Sequence, residues 1–164
     1  MSELFAPPGT SWTPVSPRLT SARRASLLLA TVPAVLALVV VGVLEFWAPR
    51  WLCLLAAGLV AARAVVMWFV IAVQTRRWGY AEREEDLYLR SGALFRRLVA
   101  VPYGRMQYVD VSSGPIDRYF GIATVSLHTA APGTTAVVPG LPAEEAARLR
   151  DRLTELGETQ GSGL

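Results

Sequence analysis

Apolar positions in this chain fall into two long runs, Leu27 to Trp47 and Trp51 to Val73, separated only by Ala48, Pro49 and Arg50. Each run is about the twenty residues a helix needs to cross a hydrocarbon core of roughly 30 Å. The link is too short for a return crossing, so the pattern predicts a tight transmembrane helical hairpin. Met1 to Pro14 is rich in Pro, Ser, Thr and Gly without a period, which predicts a disordered N-terminal tail over 1–15. Ser16 and Pro17 give a helix start, serine as N-cap and proline in the first turn. A juxtamembrane start and the hairpin are therefore expected over 16–73.

From Gln74 the period changes. Asp86 to Arg90 alternates and ends at Ser91-Gly92, a strand and a turn. Leu94 to Val101 and Arg105 to Val111 read as further strands. Ile116 to Phe120 fits one helical turn stopped by Gly121. Ile122 to Thr129 and Thr134 to Val138 read as strands around a Pro132-Gly133 turn. Pro142 opens a helix with Glu144 and Glu145 in its first turn, where the dipole favours acids. Leu149, Leu153 and Leu156 recur at i, i+4 and i+7, with Ala146 extending the stripe. Gly157 is expected to end that helix and 158–164 to form a disordered tail. The expectation over 74–157 is an antiparallel sheet of five to seven strands covered by one amphipathic helix.

Charge adds orientation. Arg18, Arg23 and Arg24 precede the first run and Arg76 and Arg77 follow the second, against Arg50 alone in the link. By the positive-inside rule both termini are expected in the cytoplasm. A formal net charge of +3 is too small to argue for nucleic acid. All basic residues are arginine, a bias of GC-rich bacterial genomes. The first run is longer than a signal-peptide core and no small-x-small site follows it.

The residues Leu87-Tyr88-Leu89-Arg90-Ser91-Gly92-Ala93-Leu94 and Val101-Pro102-Tyr103-Gly104-Arg105-Met106-Gln107-Tyr108-Val109-Asp110-Val111 resemble the bacterial PH-like membrane family. Gly114-Pro115, Arg118 to Val125, Thr129-Ala130 and Pro139 to Pro142 continue the resemblance in order. The leader with Trp12 and Ser16 to Leu19, two spans and one such domain is similar to the family's short form. The resemblance implies an α+β membrane protein. Its two-helix transmembrane hairpin would precede a small PH-like antiparallel β-barrel or sandwich capped by a C-terminal α-helix. It also implies a membrane-anchored module without a settled activity, sometimes linked to envelope stress, and a capacity to form oligomers.

Candidate sites follow. Arg105, Asp117 and Arg118 are candidates for one edge where a peptide or partner strand docks. Arg76, Arg77, Arg96 and Arg97 are candidates for contact with anionic lipid. Arg63, roughly 18 Å into its span at 1.5 Å per residue, either snorkels or pairs with another chain. Gly58 and Ala62, like Ala57 and Ala61, form small-xxx-small pairs that permit close helix approach, expected against the first span. The hairpin around Arg83 is dominated by Glu82, Glu84, Glu85 and Asp86, so specific phosphoinositide binding is not expected. With one cysteine, Cys53, and one histidine, His128, no metal, cofactor or catalytic arrangement is expected. The reading is a non-catalytic binding or scaffolding module at the cytoplasmic face of a bacterial membrane. Its partners are membrane lipids through two spans and a protein or a second copy. The alternative is a structural or regulatory subunit that assembles through the hairpin.

Overall fold

The computed structural model describes residues 11–44, 49–93, 96–129 and 135–161. Elements run β1 (Thr13–Pro14), α1 (Arg18–Leu44), α2 (Arg50–Thr75), β2 (Gly79–Glu82), β3 (Asp86–Ser91) and β4 (Arg97–Pro102). A single 3-10 turn, Tyr103–Arg105, leads to β5 (Met106–Ser112). The short α3 (Pro115–Tyr119), β6 (Ile122–Thr129), β7 (Thr135–Pro142) and α4 (Ala143–Gly161) complete the order. The chain divides into two compact units, Thr20–Ala72 and the remainder on both sides of it.

The first unit is the apolar helix pair. Only 6% and 11% of the two apolar stretches is buried. Outward leucines and valines such as Leu29, Val43, Leu59 and Val66 are exposed. Core helices of a soluble protein would bury these side chains, so the surface is one that suits lipid. A Cβ on Gly42 would stand 2.8 Å from Cys53 Cβ, so the helices meet there at a bare α-carbon. Ala57 is buried one turn beyond Cys53. Gly58 has nothing within 4 Å of its Cβ position, and Ala61 and Ala62 are exposed. The Gly58–Ala62 pair therefore does not face α1, a correction to the packing expected from sequence. The Cys53–Ala57 row takes that position instead. Near the other end the Arg24 guanidinium lies 4.3 Å over the Trp68 ring, a cation–π contact.

The second unit holds two antiparallel sheets, ordered β1-β2-β3-β4 and β5-β6-β7. Alternation drives both. Leu87 and Leu89 on β3, and Val125 and Leu127 on β6, point to one interior and are at most 5% exposed. α4 lays Ala146, Leu149 and Leu153 onto it, each fully buried, as its stripe predicts. Each such leucine is worth about 1.5–3 kcal/mol. The helix continues to Gly161 rather than ending at Gly157. The bare α-carbon of Gly157 passes the Tyr103 carbonyl there, with its Cβ position 3.8 Å away.

The N-terminal leader is not a free tail from Trp12 onward. Arg90 lies 4.8 Å over the Trp12 ring, and Thr13 and Pro14 pair with Tyr80 and Gly79. The Ser16 N–H donates to the Gly140 carbonyl at 3.0 Å, and the Arg18 N–H donates to Ser16 Oγ at 3.3 Å, the N-cap expected for α1. β7 carries an extra residue against β6, where Pro139 and Gly140 oppose Thr124. Such a bulge is where proline is tolerated in a strand. Gly140 has φ +72°, and a Cβ there would stand 2.6 Å from Leu19 Cβ. Substituting Gly140→Ala is expected to destabilise the module by about 2 kcal/mol or more, since strain and overpacking add. Thermal unfolding together with proteolysis around Val15 checks this. An unchanged midpoint with a protected leader would contradict the seating described.

Candidate functional site

Strand register sorts the charged side chains of the second unit into two ends. Gly79 pairs with Pro14 and Arg90, and Ser91 pairs with Arg97. Arg77 donates to the Ala93 carbonyl at 3.4 Å. Arg76, Arg77, Arg96 and Arg97 are all exposed. They therefore gather at the end from which the chain departs for both apolar helices. Arg18 is at this end too, its guanidinium 3.4 Å from the Cβ position of Gly121.

The opposite end is acidic. The turn from β2 to β3 forms a shallow cavity of about 460 Å³ lined by Glu82, Arg83, Glu84, Glu85 and Asp86. Tyr103 fixes its floor, taking the Glu85 carbonyl through its N–H and the Arg83 carbonyl through its hydroxyl. Gln160 of α4 reaches the Glu84 carbonyl at 3.5 Å. Burial pushes the Tyr103 hydroxyl above its ordinary pKa, and the nearby Glu82 charge adds to this.

Arg105 belongs to this acidic end, at the close of the 3-10 turn, whereas Asp117 and Arg118 lie on α3 beyond the far end of β5. Seven residues of β5 separate them, about 20 Å at strand rise. They do not form one cluster. They stand at the two ends of an edge strand, because among the described residues no strand pairs with the second side of β5. Along it Gln107, Tyr108 and Asp110 are exposed, and Tyr108 stacks on His128 with ring centroids 4.3 Å apart. Gly114 is the N-cap of α3 without a side-chain cap bond, and the Asp117 carboxylate lies beside it. Arg63 is exposed on α2. Trp47, which closes the first apolar run, lies outside the described residues.

One network was not foreseen. Arg148 on α4 binds both Glu82 on β2 and Glu145 one turn earlier, the latter at 2.7 Å. Tyr80 donates to Glu145 Oε1 at 2.7 Å. The Arg148 hydrogen bond holds the Glu145 carboxyl below the usual carboxylate range. Burial, reinforced by Glu145, pushes the Tyr80 hydroxyl well above its ordinary value. The i, i+3 spacing of Glu145 and Arg148 was visible in sequence, but β2 was not. The network is a clasp between helix and sheet.

A depressed carboxylate contributes stability above its unfolded pKa and loses it as pH falls through the folded one. Tyr80, shifted the other way, contributes below about pH 10 and loses this as pH rises. Glu145→Gln is expected to flatten the acid limb, narrowing the difference in melting temperature between about pH 7 and about pH 3. Identical acid limbs in wild type and variant would refute the assignment.

The family profile described as bacterial PH domain matches residues 25–157. The chain is also similar to transmembrane protein YdbS of Bacillus subtilis (strain 168), 31% identical over 145 residues, covering 87% of this chain and 90% of that protein. No solved structure matches the chain.

Proposed function

The chain belongs to the bacterial PH domain family, and from that premise we propose that it is a non-catalytic membrane-anchored scaffold. Its PH-like module holds a protein partner, or a second copy, at the cytoplasmic face of the cell membrane. It would serve envelope maintenance or stress resistance there. The observation that carries this reading is the pairing of Pro14 with Gly79. These two residues flank the apolar helices in sequence, so both connections to the bilayer leave the module from one place. A module tethered twice at one end has no need of headgroup affinity to reach the membrane.

The remaining surface supports a protein ligand. Glu84, Glu85 and Asp86 line the cavity at the far end with Arg83 and with Glu82, which Arg148 pairs, and the surplus of carboxylates is an unfavourable setting for an anionic headgroup. The β5 edge, which no strand among the described residues pairs, and exposed Tyr108 suit an extended partner segment added as a further strand. Arg105 at its start supplies a charge for that segment. Both termini on the cytoplasmic side agree with Arg18, Arg23, Arg76 and Arg77 flanking the helices. A second reading, assembly through the hairpin, is favoured by two separate features of α2, the exposure of Arg63 and the open space at Gly58.

Photo-crosslinking in intact cells separates the two. Probes at Gln107, Tyr108 and Arg105 are expected to capture one discrete species, while probes at Leu59 and Arg63 capture none. Capture from the helix positions alone would replace the scaffold reading with hairpin assembly.

A further inference from the structure

We propose that α3 is a foot of the PH-like module, resting Arg118, Tyr119 and Phe120, with Arg18, in the headgroup layer of an anionic bilayer. Four observations carry it. Tyr119 is 86% exposed, more than any large apolar side chain on α1 or α2. It meets Phe120 edge to face at 5.3 Å, so the turn presents an aromatic pair rather than a lone ring. The turn is held firmly, with Phe120 N–H on the Ile116 carbonyl and Gly121 N–H on the Arg118 carbonyl, both 3.1 Å. Finally, the Arg18 guanidinium lies 3.4 Å from the Cβ position of Gly121, and Arg18 is the first residue of the helix that continues into the apolar run.

The position fits the depth. Arg18 stands five residues, about 7.5 Å of helix, before Arg23, which the charge pattern puts at the headgroups. Long arginine and tyrosine side chains reach across such a gap, their apolar parts sinking and their polar tips staying wet. Exposed Arg118 and Arg18 supply positive charge, and Arg76, Arg77, Arg96 and Arg97 share this end. The nearby acids are Asp117, turned back on Gly114, and Glu144 at the start of α4. This contact rests on the anchored reading above but not on any protein partner. It is also remote from the β2–β3 turn, which is acidic here.

The test uses the full chain in nanodiscs of phosphatidylglycerol and phosphatidylcholine, with Cys53→Ala as background. A fluorophore at Glu144→Cys leaves α3 intact and reports its distance from lipids spin-labelled at the headgroup. A second probe at Tyr108→Cys serves as the remote control. Quenching is expected to be stronger at 144 than at 108. It should weaken with Arg118→Glu by roughly fivefold in the docked-to-undocked ratio, weaken with Tyr119→Ser, and survive in Arg118→Lys. The Arg118 effect should vanish in pure phosphatidylcholine. Equal quenching at the two sites, or quenching at 144 indifferent to both Arg118→Glu and Tyr119→Ser, overturns the proposal. So does protection of α3 that occurs only in native membranes, which would assign the turn to a protein. Crosslinking from β5 is read separately, so either idea can fail alone.

Discussion

The seat of Leu19 on the bare α-carbon of Gly140 is the contact on which the arrangement of this protein depends. Gly140 adopts φ +72° inside a strand bulge, and a Cβ there would stand 2.6 Å from Leu19 Cβ. No other residue type meets both demands without strain. Through this contact the leader is captured between the sheets, with Pro14 against β2 and Ser16 against the Gly140 carbonyl. The module is consequently discontinuous, built from residues on both sides of the apolar pair. A leader free to leave would tether the module through one connection only, and its orientation would be lost.

Energy and orientation are divided between different groups. Stability resides in the covered interior, where Leu149 and Leu153 are fully buried and truncation of such a leucine to alanine costs about 2–5 kcal/mol. The ion network at Arg148 is half-exposed and belongs to a class worth roughly 0–1 kcal/mol per pair. Its effect is geometric. It ties the first turn of α4 to β2, while Gln160 ties the last to the acidic turn. The basic and acidic ends thereby lie at opposite limits of one compact unit.

Much of this was legible in the chain. The apolar runs and the Leu149-Leu153 stripe depend on periodicity alone, and the Ser16 cap on local chemistry. What escaped depends on distant partners. Thr13–Pro14 is too short for any alternation, and becomes a strand only because β2 stands beside it. Pro139 argues against a strand through that position, yet β7 runs on to Pro142 because a bulge absorbs the proline. Gly157 reads as a stop, but the helix runs on to Gly161, and Gln160 beyond it bonds the Glu84 carbonyl. The same holds for the candidate residues. Register alone unites Arg76 and Arg77 with Arg96 and Arg97, and the length of β5 alone parts Arg105 from Arg118.

Tethering also changes what the arginines at the near end can accomplish. A module joined to the bilayer by short connections experiences its surface at an effective concentration of order millimolar or above. Weak attraction, about 1 kcal/mol per arginine near an anionic surface, is then enough to bias orientation and is irrelevant to recruitment. Selection for a high-affinity headgroup pocket is removed, and the acidic β2–β3 turn is compatible with that. On the proposal above, the near end biases how the module stands. The edge of β5 and the acidic turn lie away from that end, and among the described residues Arg63 is the charge near the middle of α2.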